Sequence, residues 1–96
     1  MIDYQKSYIY KLANCVDDQI YIGGALGPPA ARFHAHKQKA KRQIYAAFNP
    51  YKHLNPIGWD KIRIIVLEKF PCNSKIELTE RIQYWITKLN PTLNVM

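Results

Sequence analysis

Four side chains in the N-terminal half carry the groups that phosphate chemistry needs. Tyr10 closes the run Tyr8-Ile9-Tyr10, and after ten residues Tyr21 opens the run Tyr21-Ile22-Gly23. Arg32 and His36 follow, four residues apart. Hydrolysing a phosphodiester requires an activated water, charge stabilisation at phosphorus and help for the leaving oxygen. The planar guanidinium of Arg32 suits a phosphate. The surrounding charge points the same way. No Asp or Glu occurs from Gln19 through Trp59, a span that holds Arg32, Lys37, Lys39, Lys41, Arg42 and Lys52 with His34, His36 and His53. A one-sign segment inside a folded domain makes a positive surface, and phosphate is its commonest target. The net charge of +7 by itself would serve solubility equally well.

These residues need elements to position them. Ser7 to Leu12 and Gln19 to Gly23 are apolar-aromatic runs flanking the polar Ala13-Asn14-Cys15-Val16-Asp17-Asp18. This reads as a β-hairpin, which can bring Tyr10 and Tyr21 close. Gly24 to Pro29 reads as a loop. Ala30 to about Phe48 is rich in Ala, Lys, Gln and Arg and predicts a helix, ended by Asn49-Pro50. On it Arg32 and His36 share a face turned to the hairpin, with His34 off that face. Between Tyr51 and Trp59, prolines leave room for one helical turn around Lys52 to Asn55. Lys61 to Phe70 predicts a third strand, central or well covered because both its sides are apolar. Ser74 and Glu77 fit a capping box for a helix that runs to about Leu89 and stops at Asn90-Pro91. Its stripe of Leu78, Ile82, Trp85, Ile86 and Leu89 belongs to the core. The expected fold is a single α+β domain over residues 1–96, a small three-stranded, mainly antiparallel sheet flanked by helices.

The paired motifs, with Arg32, His36, the aromatic late helix and the closing Leu93-Asn94, resemble the GIY-YIG nuclease family over residues 7–94. Tyr8 departs from the pattern, standing where the family usually has Gly. The resemblance implies DNA cleavage with Mg2+ or Mn2+. Tyr10, Tyr21 and His36 would handle the proton on the attacking water, and Arg32 would stabilise the phosphorane. Lys37, Lys39, Lys41 and Arg42 would contact the DNA backbone. Asn94 would fasten the C-terminus near the site. Tyr45 and His53 are looser matches to a second polar position.

One departure bears on the metal. Counting from Trp85-Ile86 and Leu89-Asn90, the family's metal-binding glutamate falls on Ile82, and Mg2+ needs oxygen ligands. Glu80 is one candidate substitute, although it lies about 160° round the helix from position 82, and Glu77 lies about 140° round. Glu77 is committed to the cap, and Glu68 ends the third strand. Three classes of function therefore stand side by side: a nuclease with a shifted carboxylate, a nucleic-acid-binding module that no longer cuts, and a basic surface for an acidic protein. A lone small nuclease needs a second copy or a partner to cut both strands. Cys15 and Cys72 lack metal-site spacing and read as free thiols in a reducing compartment. With no signal-like or membrane-spanning run, a soluble intracellular protein with no membrane partner is expected.

Overall fold

The structure of the protein is a computed structural model, which describes residues 3–42, 44 and 48–94. Strand β1 (Ser7–Asn14) runs up the middle of a three-stranded sheet, with β2 (Tyr21–Leu26) on one side and β3 (Ile62–Lys69) on the other. Both pairings are antiparallel. The turn between β1 and β2 is built by side chains: Asn14 Oδ1 accepts from the amides of Val16 and Asp17, both at 2.8 Å, and Asp17 Oδ1 accepts from the Gln19 amide at 3.0 Å. Such Asx bonding is why Asn and Asp favour turns. The register pairs Tyr10 with Gly23 and Leu12 with Tyr21, so Tyr10 and Tyr21 are diagonal neighbours on one face.

Helices cover both faces. On one, Tyr8, Tyr10, Leu12, Ala25 and Ile62 pack with Leu54 and Leu93 and with the partly buried Phe33 and Trp59. Helices α1 (Pro29–Ala40) and α2 (Asn49–Ile57) supply this cover. On the other face Ile9 and Ile22 pack with Leu78, Ile82, Trp85 and Ile86 of α3 (Lys75–Leu89). Ser74 caps α3 by accepting from the Glu77 amide, and Asn90 ends it in a left-handed conformation at φ 48°. Among the described residues no helix is long and apolar enough to cross a membrane. Cys15 and Cys72 are free.

Several boundaries differ from the sequence expectation. The third strand is an edge strand, and β1 is the central one. Ile62 and Ile64 serve one core and Leu67 the other, so the apolarity of β3 on both sides reflects helices on both faces. Gly24, Ala25 and Leu26 extend β2, and the chain leaves the strand at Gly27, where φ is +82°. The first helix stops at Ala40, well short of Phe48. Asn49-Pro50 opens α2 instead of ending α1, because proline in a first turn gives up only an amide that has no helical partner. Pro56 lies in the last turn of α2, where the helix is about to end at Gly58, φ 98°. Leu89 is exposed at 39% and lies outside the core stripe.

A bulge in β3 has a structural use. Ile9 pairs with Glu68 and Tyr10 with Val66, which leaves Leu67 as the extra residue. Leu67 and Glu68 are thereby both turned toward α3. The Glu68 carboxylate accepts from Arg81 Nε at 2.6 Å, Arg81 Nη2 at 2.8 Å and Trp85 Nε1 at 3.1 Å. Bidentate bonding of this kind fixes orientation as well as distance, and here it holds α3 in register on the sheet.

Candidate active site

The face under α1 and α2 gathers the predicted cluster. Tyr10 has no exposed surface, and its ring crosses the sheet over Gly23. A Cβ at Gly23 would stand 2.7 Å from Tyr10 Oη, so the glycine of the second motif is required by the tyrosine of the first. One turn apart on α1, Arg32 and His36 both reach that hydroxyl. Arg32 Nε donates to Tyr10 Oη at 3.3 Å, and His36 Nε2 lies 2.6 Å from it. The Tyr21 ring approaches His36 edge-on at 6.0 Å between centroids.

The other imidazole nitrogen meets a residue that sequence reasoning missed. His36 Nδ1 lies 2.8 Å from the hydroxyl of Tyr51, which is buried at the start of α2. Reading prolines only as breakers hid this helix. The signal was the spacing of Tyr51, Leu54 and Ile57 behind Pro50, one apolar face in a short helix opened by proline.

Burial sets the charge states. It pushes His36 down to about 4, with the nearby positive charges of Arg32 and Lys39 acting in the same direction, so at neutral pH the imidazole is uncharged. Burial pushes Tyr10 up to about 12 against the opposing pull of Arg32, and it raises Tyr21 as well. The site is thus a permanent cation beside protonated phenols and a neutral imidazole. Arg32 is only half-buried.

The remaining candidates are dispersed. Lys37 lies over the Phe33 ring at 5.8 Å, while Lys39, Lys41 and Arg42 are exposed along the end of α1 and just beyond it. His34 is exposed, off the Arg32–His36 face. His53 pairs with Asp17 at the hairpin turn, 2.9 Å away, and does not join the cluster. Tyr45 lies outside the described residues. Asn94 acts as a short strand: its Nδ2 donates to the Ile22 carbonyl and its Oδ1 accepts from the Ile22 amide, both at 2.8 Å. The C-terminal segment is thereby tied to the free edge of β2, beside Tyr21.

The acidic residues do not assemble a metal site here. Ile82 packs against Gly24 on the α3 face, so closely that a Cβ at Gly24 would lie 2.6 Å from Ile82 Cδ1. Glu80 is exposed beside Phe70, Glu77, Arg81 and Tyr84, on the helix that covers the opposite face from Tyr10 and His36. Its expected role as the substitute carboxylate therefore gains no support from its position. Glu68 is committed to Arg81 and Trp85, and both nitrogens of His36 are engaged by tyrosines. Among the described residues no three His, Cys, Asp or Glu side chains are grouped so as to hold a metal ion. Neither Ile82 nor the carboxylates of Glu68, Glu77 and Glu80 offer Mg2+ or Mn2+ an oxygen on the face that holds Tyr10 and His36.

Comparison with known proteins agrees with this fold. The GIY-YIG catalytic domain matches over residues 6–94. "Uncharacterized protein 019R" of Invertebrate iridescent virus 6 is 37% identical over 71 residues, which is 74% of this chain. The match spans 25% of that viral protein, so this chain corresponds to about a quarter of its length. The solved catalytic domain of the homing endonuclease I-TevI superposes with a TM-score of 0.74 at 25% identity, covering 93% of this chain and 94% of that one. A mutant form of the same domain, described as an intron endonuclease, gives 0.75 at 25% identity over 93% and 89% of the two chains. With the Tyr10 ring lying over Gly23 and the arginine and histidine meeting at its hydroxyl, the chain belongs to the GIY-YIG catalytic domain family.

Proposed function

We propose that this domain is a nuclease that hydrolyses DNA phosphodiester bonds at the Tyr10–Arg32–His36 cluster. The observation that carries the reading is the continuous polar contact from Arg32 through Tyr10 to a neutral, buried His36. In this reading Arg32 receives the phosphate and stabilises charge that grows on it. Once a phosphate on Arg32 has opened the site to water, Tyr10 takes a proton from the attacking water as it passes its own to His36, which is uncharged and so able to accept it. Tyr21, half-buried at the mouth, orders the water or the phosphate. Lys37, Lys39, Lys41 and Arg42 hold the flanking backbone. The solved neighbours are endonuclease catalytic domains, which favours cleavage within a strand. Cutting both strands would take a second copy or a partner protein.

Mg2+ or Mn2+ is the cofactor that the family resemblance implies. Ile82 on Gly24 favours a second reading, in which the domain grips DNA and does not cut. Plasmid nicking separates the two, run with Mg2+, with Mn2+ and with chelator, beside Arg32→Ala and Ile82→Glu. The nuclease reading expects nicking by the native chain that falls at least about 100-fold in Arg32→Ala, the usual cost of losing one charge-stabilising donor. Intact DNA with the native chain, with tight and salt-sensitive binding retained, would establish the second reading.

A further inference from the structure

We infer that Arg32, acting through the Tyr10 hydroxyl, is a positioning residue that holds His36 as the Nδ1–H tautomer, whose hydrogen Tyr51 accepts, and so leaves Nε2 bare to receive the Tyr10 proton. The argument starts at Arg32, which can donate hydrogen bonds and never accept them. Its Nε–H must therefore point at the Tyr10 oxygen, 3.3 Å away. At 2.6 Å, Tyr10 and His36 Nε2 share one hydrogen between them. If Nε2 carried it, the Tyr10 oxygen would accept twice, and its own hydrogen would need a third partner in a site with no exposed surface. Among the described residues Arg32 and His36 are the only hydrogen-bond partners of that hydroxyl. Tyr10 therefore donates to Nε2. The neutral ring then carries its hydrogen on Nδ1, and the Tyr51 oxygen at 2.8 Å accepts it. One cation at the head of the chain orders every proton behind it, from Arg32 to Tyr10 to His36 to Tyr51.

The placement of Tyr51 is well supported. Its ring meets Phe48 at 5.1 Å and Trp59 at 6.1 Å. Asn55, one turn on, donates to the Ala40 carbonyl at the end of α1, and His53 pairs with Asp17 at the hairpin turn. Among the described residues the titratable groups facing His36 are Tyr10 from β1, Tyr21 from β2, Arg32 and Lys39 from α1, and Tyr51 from α2. Of these, only Tyr51 meets Nδ1. When Tyr10 passes its proton to Nε2, the imidazolium keeps its Nδ1–H bond to Tyr51, so nothing behind the transfer has to move.

The rate consequence rests on the nuclease reading; the tautomer does not. Nitrogen-15 NMR of the histidine ring in the full chain at neutral pH reads it directly. The native chain is expected to show His36 protonated at Nδ1 and bare at Nε2. Tyr51→Phe should keep that tautomer, because Tyr10 still donates to Nε2, and Tyr10→Phe should lose the preference, with both forms present. Single-turnover nicking by Tyr51→Phe should fall about ten-fold, the worth of one buried hydrogen bond, with DNA affinity unchanged and an altered pH–rate profile. An Nε2–H tautomer in the native chain overturns the inference, as does a preference that survives Tyr10→Phe or is lost in Tyr51→Phe. The native spectrum and Tyr10→Phe decide the matter even if Tyr51→Phe does not fold. A native chain with the expected tautomer and no nicking would remove the nuclease reading and leave the tautomer assignment standing.

Discussion

Replacing Gly23 by alanine tests the central packing relation of the site. The added methyl would lie 2.7 Å from Tyr10 Oη, 2.9 Å from Cζ and 3.2 Å from Cε1. Favourable carbon contacts begin near about 3.5 Å, so the ring must retreat by several tenths of an ångström. It has nowhere to go without stretching its 2.6 Å contact to His36 and its 3.3 Å contact from Arg32. Overpacking of this kind costs about 1–3 kcal/mol, and weakening a buried hydrogen bond adds about 1 kcal/mol. Alanine's advantage over glycine in a strand returns about 0.5–1 kcal/mol. The net expectation is a destabilisation of about 1–3.5 kcal/mol in urea unfolding. NMR titration of His36 should accompany it, since loosening the Tyr10 ring admits water and raises the histidine from about 4 toward its ordinary value. Gly24→Ala is the control. Its methyl would meet Ile82 Cδ1 at 2.6 Å on the opposite face, so it should cost stability and leave the His36 titration unmoved. A Gly23→Ala protein within about 0.5 kcal/mol of native, with His36 still titrating near 4, would refute the reasoning, because 0.5 kcal/mol is no more than an ordinary surface change produces.

Three further outcomes follow from the same geometry. Because His36 titrates near 4 in the fold and near 6.5 when unfolded, the unfolded chain binds the extra proton; stability is full above pH 6.5 and falls by about 3 kcal/mol as the pH drops through that interval, a loss that His36→Gln should largely remove from the pH dependence of unfolding. Asn94→Ala should cost about 1–3 kcal/mol and speed hydrogen exchange at the Ile22 amide, since both bonds that close the free edge of β2 are lost. Removing Lys37, Lys41 or Arg42 singly should lower the salt dependence of DNA binding by about one unit of slope each if they touch phosphate, whereas an unchanged slope would assign them to solvent.

The sequence by itself determined which chemical groups are present and roughly where they fall. The spacing of Tyr10 and Tyr21 around an Asn- and Asp-rich turn dictates a hairpin, and residues four apart on a helix must share a face, so Arg32 and His36 were legible together. The capping Ser74 and the stop at Asn90 depend on local chemistry and were legible for the same reason. Ile82 was legible as a loss, since no arrangement gives isoleucine an oxygen. What tertiary structure decided were relations between distant segments. That β1 is central, that Glu68 is spent on Arg81 and Trp85 through a bulge, and that Glu80 sits on the far face are outcomes of packing two helical layers on one sheet. The same holds for Tyr51, whose hydroxyl matters only because α2 crosses the end of α1 and lays it on His36. Local propensity acts over a few residues along the chain. A proton's position is fixed by whichever groups the fold brings within about 3 Å of it.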